Sequence, residues 1–144
     1  MAILGIDLGT TNSLGAVYRN GKVELIPNRF GSFLTPSVVS VMEDGSVAVG
    51  QIAKERLITH PKDTAASFKK KMGTTQNYVL GGRNFLPEEL SGFVISAIVE
   101  DARTFSHHTF ICIHTLISLT TDYSRHFSFR QCRQSNFTLF CLTQ

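Results

Sequence analysis

No stretch of this 144-residue chain is apolar for long enough to cross a bilayer, since a helical span needs roughly 20 such residues. The first residues lack a basic patch followed by an apolar core, so no secretion signal is read and a cytoplasmic location is expected. Cysteine is scarce, with only Cys112, Cys132 and Cys141. An odd count with wide gaps does not make a disulfide framework. Cys112-x-His114 with the other two matches no common zinc finger, so reduced thiols are expected. A strong charge is missing too: the net charge is +3, and no basic stripe is interleaved with aromatics. Neither nucleic acid nor a membrane is therefore expected as a partner. Glycine is absent after Gly92, and proline after Pro87.

What is present is concentrated near the start. Ile3-Leu4-Gly5-Ile6 is a short apolar run, and an apolar-rich pattern resumes from Ser13 to Tyr18. Between them lies Leu8-Gly9-Thr10-Thr11-Asn12, rich in turn formers, which reads as strand, tight turn, strand. Asn20-Gly21 is a strong two-residue hairpin signal, so Val23-Glu24-Leu25-Ile26 is expected as a third strand. Such a hairpin suits phosphate chemistry. Gly9 has no Cβ to hold a ligand off the backbone. Successive turn N–H groups can point at phosphate oxygens, and Thr10 and Thr11 add hydroxyls. Asp7 offers a carboxylate to magnesium, through its water shell. The same residue types also occur in turns for capping alone.

Further along, strands are expected at 38–42 and 47–49, joined by Asp44-Gly45. A short helix is expected over 51–59, ended by His60-Pro61. A second is expected over 65–72, closed by Gly73, then a small hairpin around Gly81-Gly82. Pro87 opens the longest helix, with Glu88 and Glu89 at its positive end. Leu90, Phe93, Val94, Ala97, Ile98, Ala102 and Phe105 recur at helical spacing and predict a buried face. The pattern is an α/β mix of the α+β kind. It is not a Rossmann unit, because neither a βαβ opening nor Gly-x-Gly-x-x-Gly occurs.

Five stretches, in order and spacing, carry a resemblance. They are Ile6-Asp7-Leu8-Gly9-Thr10-Thr11-Asn12-Ser13, Leu34-Thr35-Pro36-Ser37-Val38-Val39, Gly50-Gln51-Ile52-Ala53-Lys54, Phe68-Lys69-Lys70-Lys71-Met72-Gly73 and Pro87-Glu88-Glu89-Leu90-Ser91. Over residues 3–105 the chain resembles the N-terminal part of the ATPase domain of the 70-kDa heat-shock (DnaK-type) chaperone family. The compact spacing between Gly73 and Pro87 looks closest to its HscC-like branch. The resemblance implies the first lobe of an actin-like, ribonuclease-H-like ATPase domain, and ATP/ADP with Mg2+ as cofactors. It implies that Asp7 positions magnesium-bound water. Gly9, Thr10, Thr11 and Asn12 would contact the phosphates, with Thr10 nearest the terminal one, and Lys69 would be the catalytic lysine. In the intact family, ATP hydrolysis drives protein folding under stress, with unfolded client peptides and co-chaperones as partners. From the residues alone, Lys69 to Lys71 fan out around a helix at about 100° each, so one at most faces a cleft and the others are solvated. An Asp-x-Gly-Thr-Thr hairpin also occurs in sugar kinases of the same fold, but the matches around Lys69 and Pro87 argue against that class.

From Ser106 the composition breaks. The remainder has no Gly, Pro, Ala, Val, Lys, Glu or Met, and it holds all three cysteines and four of the five histidines. Ile111, Ile113, Ile117 and Leu119 alternate as a strand would, without turn glycines or gatekeeper charges. The family would place a strand and an apolar-Pro-Ala-Tyr-Phe segment here, and neither is expected. Residues 106–144 therefore read as an aberrant tail, out-of-frame or divergent, after an N-terminal fragment of residues 1–105. The expectation for the chain by itself is very weak nucleotide binding and no hydrolysis. The competing reading is a truncated, non-catalytic regulatory or inert product.

Overall fold

The computed structural model describes residues 2–106, 112–117, 127–131 and 141–143, with side chains as far as residue 105. Strands and helices mix, as the pattern implies. The chain opens with β1 (Ala2–Asp7), β2 (Asn12–Arg19), β3 (Lys22–Ile26), β4 (Thr35–Pro36), β5 (Val38–Val41) and β6 (Val47–Val49). Then come α1 (Gln51–Thr59), β7 (Thr64–Ala66), β8 (Tyr78–Leu80), β9 (Arg83–Phe85), α2 (Pro87–Ser106), β10 (Cys112–Ile117), β11 (Phe127–Gln131) and β12 (Cys141–Thr143). Two compact units result. The first comprises Met1–Leu8, Leu14–Leu34 and Ile98–Gln144; the second comprises Gly9–Ser13 and Thr35–Ala97.

In the first unit, β1 and β2 run antiparallel with Leu4 opposite Val17 and Gly5 opposite Ala16. Asn20 and Gly21 both adopt positive φ, 49° and 78°, which matches the twist of a two-residue hairpin and delivers β3 against β2. Period-two alternation turns Ala2, Leu4 and Ile6 to the buried face of β1. The C-terminal half of α2 buries Ile98, Val99 and Ala102. Gly15 is required here: a Cβ would stand 2.7 Å from the Ile98 side chain and 3.3 Å from Ile26.

The expected absence of the family's strand after the long helix is corrected, whereas the strand-period alternation at Ile113 and Ile117 does lie in a strand. β10 lies parallel to β1, with Ile3 opposite Cys112 and Asp7 opposite Leu116, and β11 and β12 follow antiparallel. The open edge of β1 offers a row of N–H and C=O groups, and a short apolar alternation suffices to pair with it. The alternating Ile111 and Leu119, like Cys132, lie outside the described residues.

In the second unit, β5 is flanked by β6 and β7. α1 spans the expected residues and ends where the His60 N–H bonds the Arg56 carbonyl at 2.7 Å. The helix expected over 65–72 does not form. Ala65 and Ala66 pair with Val39 and Val38 as part of β7, and Ser67 takes a left-handed φ of 56°. Only Phe68–Lys71 coils, as a 3-10 turn. Cross-strand pairing and burial of Ala65 override the high helix propensity of alanine. Gly73 does adopt the positive φ of a terminating glycine, and its N–H donates to Glu88 Oε1 at 2.7 Å. At the start of α2, Glu89 Oε2 accepts the Leu86 N–H at 2.7 Å, half of a capping box.

Candidate functional site

The residues between β1 and β2 form a tight turn fixed from within the second unit. The Gly9 N–H donates to Ser13 Oγ at 3.2 Å. The Gly9 carbonyl accepts Ser37 Oγ–H at 2.8 Å, and the two serine hydroxyls lie 2.9 Å apart. The Ser37 N–H donates to the Thr11 carbonyl at 2.9 Å. A Cβ on Gly9 would collide with the Asn12 carbonyl, so glycine is needed there for space and not for a positive φ. The turn leaves Gly9 and Thr10 half-buried, while Thr11 and Asn12 are exposed. Among the described residues, the N–H groups of Thr10 and Thr11 have no intramolecular acceptor. This arrangement, with unspent N–H donors beside threonine hydroxyls, suits an oxyanion such as phosphate.

The other expected site residues fall as follows. Asp7 is the exposed last residue of β1, in the first unit. Lys69 belongs to the second unit, as does the turn. In the three-lysine run Lys69 is 3% exposed, whereas Lys70 and Lys71 are exposed. Phe68, buried beside it, anchors the 3-10 turn. A lysine is almost never so buried without a compensating partner, and Lys69 is not without interactions of its own. Among the described residues no three His, Cys, Asp or Glu side chains gather as a metal cage. A lone exposed carboxylate fits a magnesium ion that keeps most of its waters and takes other ligands from phosphate. Among the same residues no helix is long and apolar enough to cross a membrane.

Sequence reasoning missed Ser13 and Ser37, the two residues that hold the turn. A signal existed for Ser13: it occupies the inward register of Ser13, Gly15 and Val17, where a polar residue needs a partner. Nothing local marks Ser37, which lies 24 residues away and follows a proline.

A family model described as Hsp70 protein matches residues 3–80. Chaperone protein DnaK of Endomicrobium trichonymphae is 40% identical over 111 residues, which cover 74% of this chain and 18% of that protein. The proteins of the same name from Thermotoga neapolitana and Thermotoga petrophila are each 41% identical over 104 residues, 72% of this chain and 17% of theirs. The chain thus spans less than a fifth of the length of these relatives.

Proposed function

Since this chain belongs to the Hsp70 family, we propose that the turn at residues 9–12 grips the phosphates of ATP or ADP. The observation that carries the proposal is the turn itself: Gly9 has no room for a side chain, and the Thr10 and Thr11 N–H groups are unspent. In this reading Thr10 lies nearest the terminal phosphate, and Thr11 and Asn12 follow along the chain of phosphates. Gly9 contributes close approach and not a donor, because its N–H is taken by Ser13. Asp7 holds Mg2+ through water, and the ion offsets phosphate charge. Lys69 orients the attacking water and stabilises charge on the transferring phosphoryl group.

At the level of the whole protein, the reading is an actin-like chaperone ATPase, of which this chain carries the first lobe. It would be cytoplasmic, act on unfolded client peptides and work with co-chaperones. The spacing between Gly73 and Pro87 supports an HscC-like branch. The composition break supports a domain of residues 1–105 followed by an out-of-frame or divergent tail. By itself, a chain of this span is expected to bind nucleotide weakly and not to hydrolyse it.

Calorimetric titration of the full chain with magnesium-ATP tests the proposal. Weak heat that disappears in Gly9→Ala supports it, and no heat at millimolar nucleotide ends it. Lys69→Ala should bind like the parent. A strong loss of binding there would give Lys69 a binding role in place of a catalytic one.

A further inference from the structure

We infer that Ser13 and Ser37 are the positioning residues of the phosphate turn, acting through a closed, one-way ring of hydrogen bonds that aims the Thr10 and Asn12 N–H groups at the ligand. The inference rests on the phosphate-turn reading and assigns the device that shapes it.

The direction of the ring follows from counting protons. A serine hydroxyl has one proton to donate. A carbonyl can only accept, so the Ser37 proton is committed to the Gly9 oxygen at 2.8 Å. The 2.9 Å contact between the two hydroxyls then needs the Ser13 proton. Ser13 Oγ is left to accept the Gly9 N–H at 3.2 Å. The bonds run from the Gly9 N–H to Ser13, to Ser37 and back to the Gly9 carbonyl. Chains of this kind polarise one another, so each bond strengthens the next. Ser13 is 1% exposed and Ser37 2%, so little water can substitute for a broken member. Opening the ring anywhere leaves a buried polar group unsatisfied.

The ring also sets the outward direction. In a trans peptide the C=O and the following N–H point opposite ways, and the described residues contain no cis bond. The Gly9 carbonyl is held toward Ser37 Oγ, so the Thr10 N–H points away from Ser37. The Thr11 carbonyl is held toward the Ser37 N–H, so the Asn12 N–H points away as well. One residue thereby orients two donors while neither of its own polar groups is spent on the ligand. This differs from ordinary core satisfaction, in which buried hydroxyls serve only each other.

The test is amide NMR on the 15N-labelled full chain, with magnesium tripolyphosphate as the probe. In the parent chain the Thr10, Thr11 and Asn12 cross-peaks should move on titration. The Gly9 amide should stay in place and exchange slowly compared with Gly21, in the turn between β2 and β3, where a Cβ would meet nothing within 4 Å. Ser13→Ala and Ser37→Ala should each weaken the apparent affinity about tenfold. The double variant should be no weaker than either single, because one break already opens the ring. Affinities equal to the parent, or single effects that simply multiply in the double, would overturn the ring, since two contacting members of one closed ring must couple. If the variants do not fold, the parent's Gly9 exchange decides alone: slow exchange supports the ring and fast exchange overturns it. If no amide of the parent responds to tripolyphosphate, the phosphate reading itself fails, and Gly9 exchange judges the ring in the same way.

Discussion

Two irregular segments of this chain use the same device for opposite ends. In the loop at residues 28–34, Asn28 Oδ1 accepts the N–H groups of Phe30 and Ser32 at 3.0 and 3.1 Å. Its Nδ2 donates to the Leu34 carbonyl at 3.2 Å, and Gly31 supplies the positive φ. In the turn at residues 9–12, serine hydroxyls do the corresponding work. The loop consumes its own backbone donors and leaves Phe30, Phe33 and Leu34 about half exposed. The turn buries its fastening hydroxyls and leaves backbone donors unspent. The difference lies in where the fastener sits. A fastener in solvent competes with water, so it holds shape cheaply and weakly. A buried one is replaced by nothing, so it can hold a backbone with donors unsatisfied until a ligand arrives.

The sharpest way to break this comparison is Gly9→Ala. The new methyl meets the Asn12 carbonyl, a backbone atom that cannot swing aside. Overpacking of this kind costs on the order of 3 kcal/mol, read from urea unfolding, and the phosphate response should vanish. The same change at Gly31, where a Cβ would meet nothing within 4 Å, should cost only the strain of its φ of 78°, about 1 kcal/mol. Equal losses at the two positions would show that the turn is no more tightly determined than the loop.

Replacing the fasteners themselves comes next. Ser37→Ala strands the buried Ser13 hydroxyl and the Gly9 carbonyl, with an expected loss of about 2 kcal/mol. Asn28→Ala removes more hydrogen bonds but leaves groups that water can satisfy, with an expected loss of about 1 kcal/mol. A larger loss at Asn28 than at Ser37 would sink the argument from burial. The lysine run gives a smaller contrast: Lys70→Ala and Lys71→Ala, both at exposed positions, should each change stability by no more than about 0.5 kcal/mol.

The sequence was legible where structure is local. The Asn20-Gly21 hairpin, α1 with its His60-Pro61 end and the proline-led start of α2 follow from adjacent residues, and all are present. The turn at 9–12 was legible as a turn because its glycine and hydroxyl residues are contiguous. What lay beyond reach depends on partners far along the chain. Ala65 and Ala66 become a strand because β5 pairs with them. Ser37 becomes a fastener because the fold returns it to Gly9, 28 residues earlier. β10 forms against an edge supplied by β1, a partner more than a hundred residues away. Helical spacing let one lysine at most face a cleft, with the resemblance pointing to Lys69, and Lys69 is the buried one of the three. The element that positions it is a 3-10 turn and not the expected helix.

The smallest expected effect concerns how the loop at 28–34 is held from outside. Asp101 lines a cavity of ≈ 440 Å³ together with Arg29 and Phe105. Burial raises its carboxyl from the ordinary value, with a smaller push from the Glu100 charge, although the Arg29 charge and the Arg29 backbone N–H pull the other way. The folded chain therefore holds this proton more tightly than the unfolded chain. Between the ordinary carboxylate value of about 3.9 and the raised one, the folded state binds more protons, so stability falls as pH rises through that window. Above the window ionised Asp101 is a constant liability; below it the liability is gone. Asp101→Asn keeps an acceptor for the Arg29 N–H but cannot ionise. Its melting temperature should slightly exceed the parent's at neutral pH and match it well below the ordinary carboxylate range. An equal gain at both pH values would trace to packing and not to charge. A loss at neutral pH would show that Arg29 holds Asp101 more strongly than burial penalises it. The loop would then be fastened by an ion pair as well as by Asn28, and its contrast with the serine-held turn would narrow.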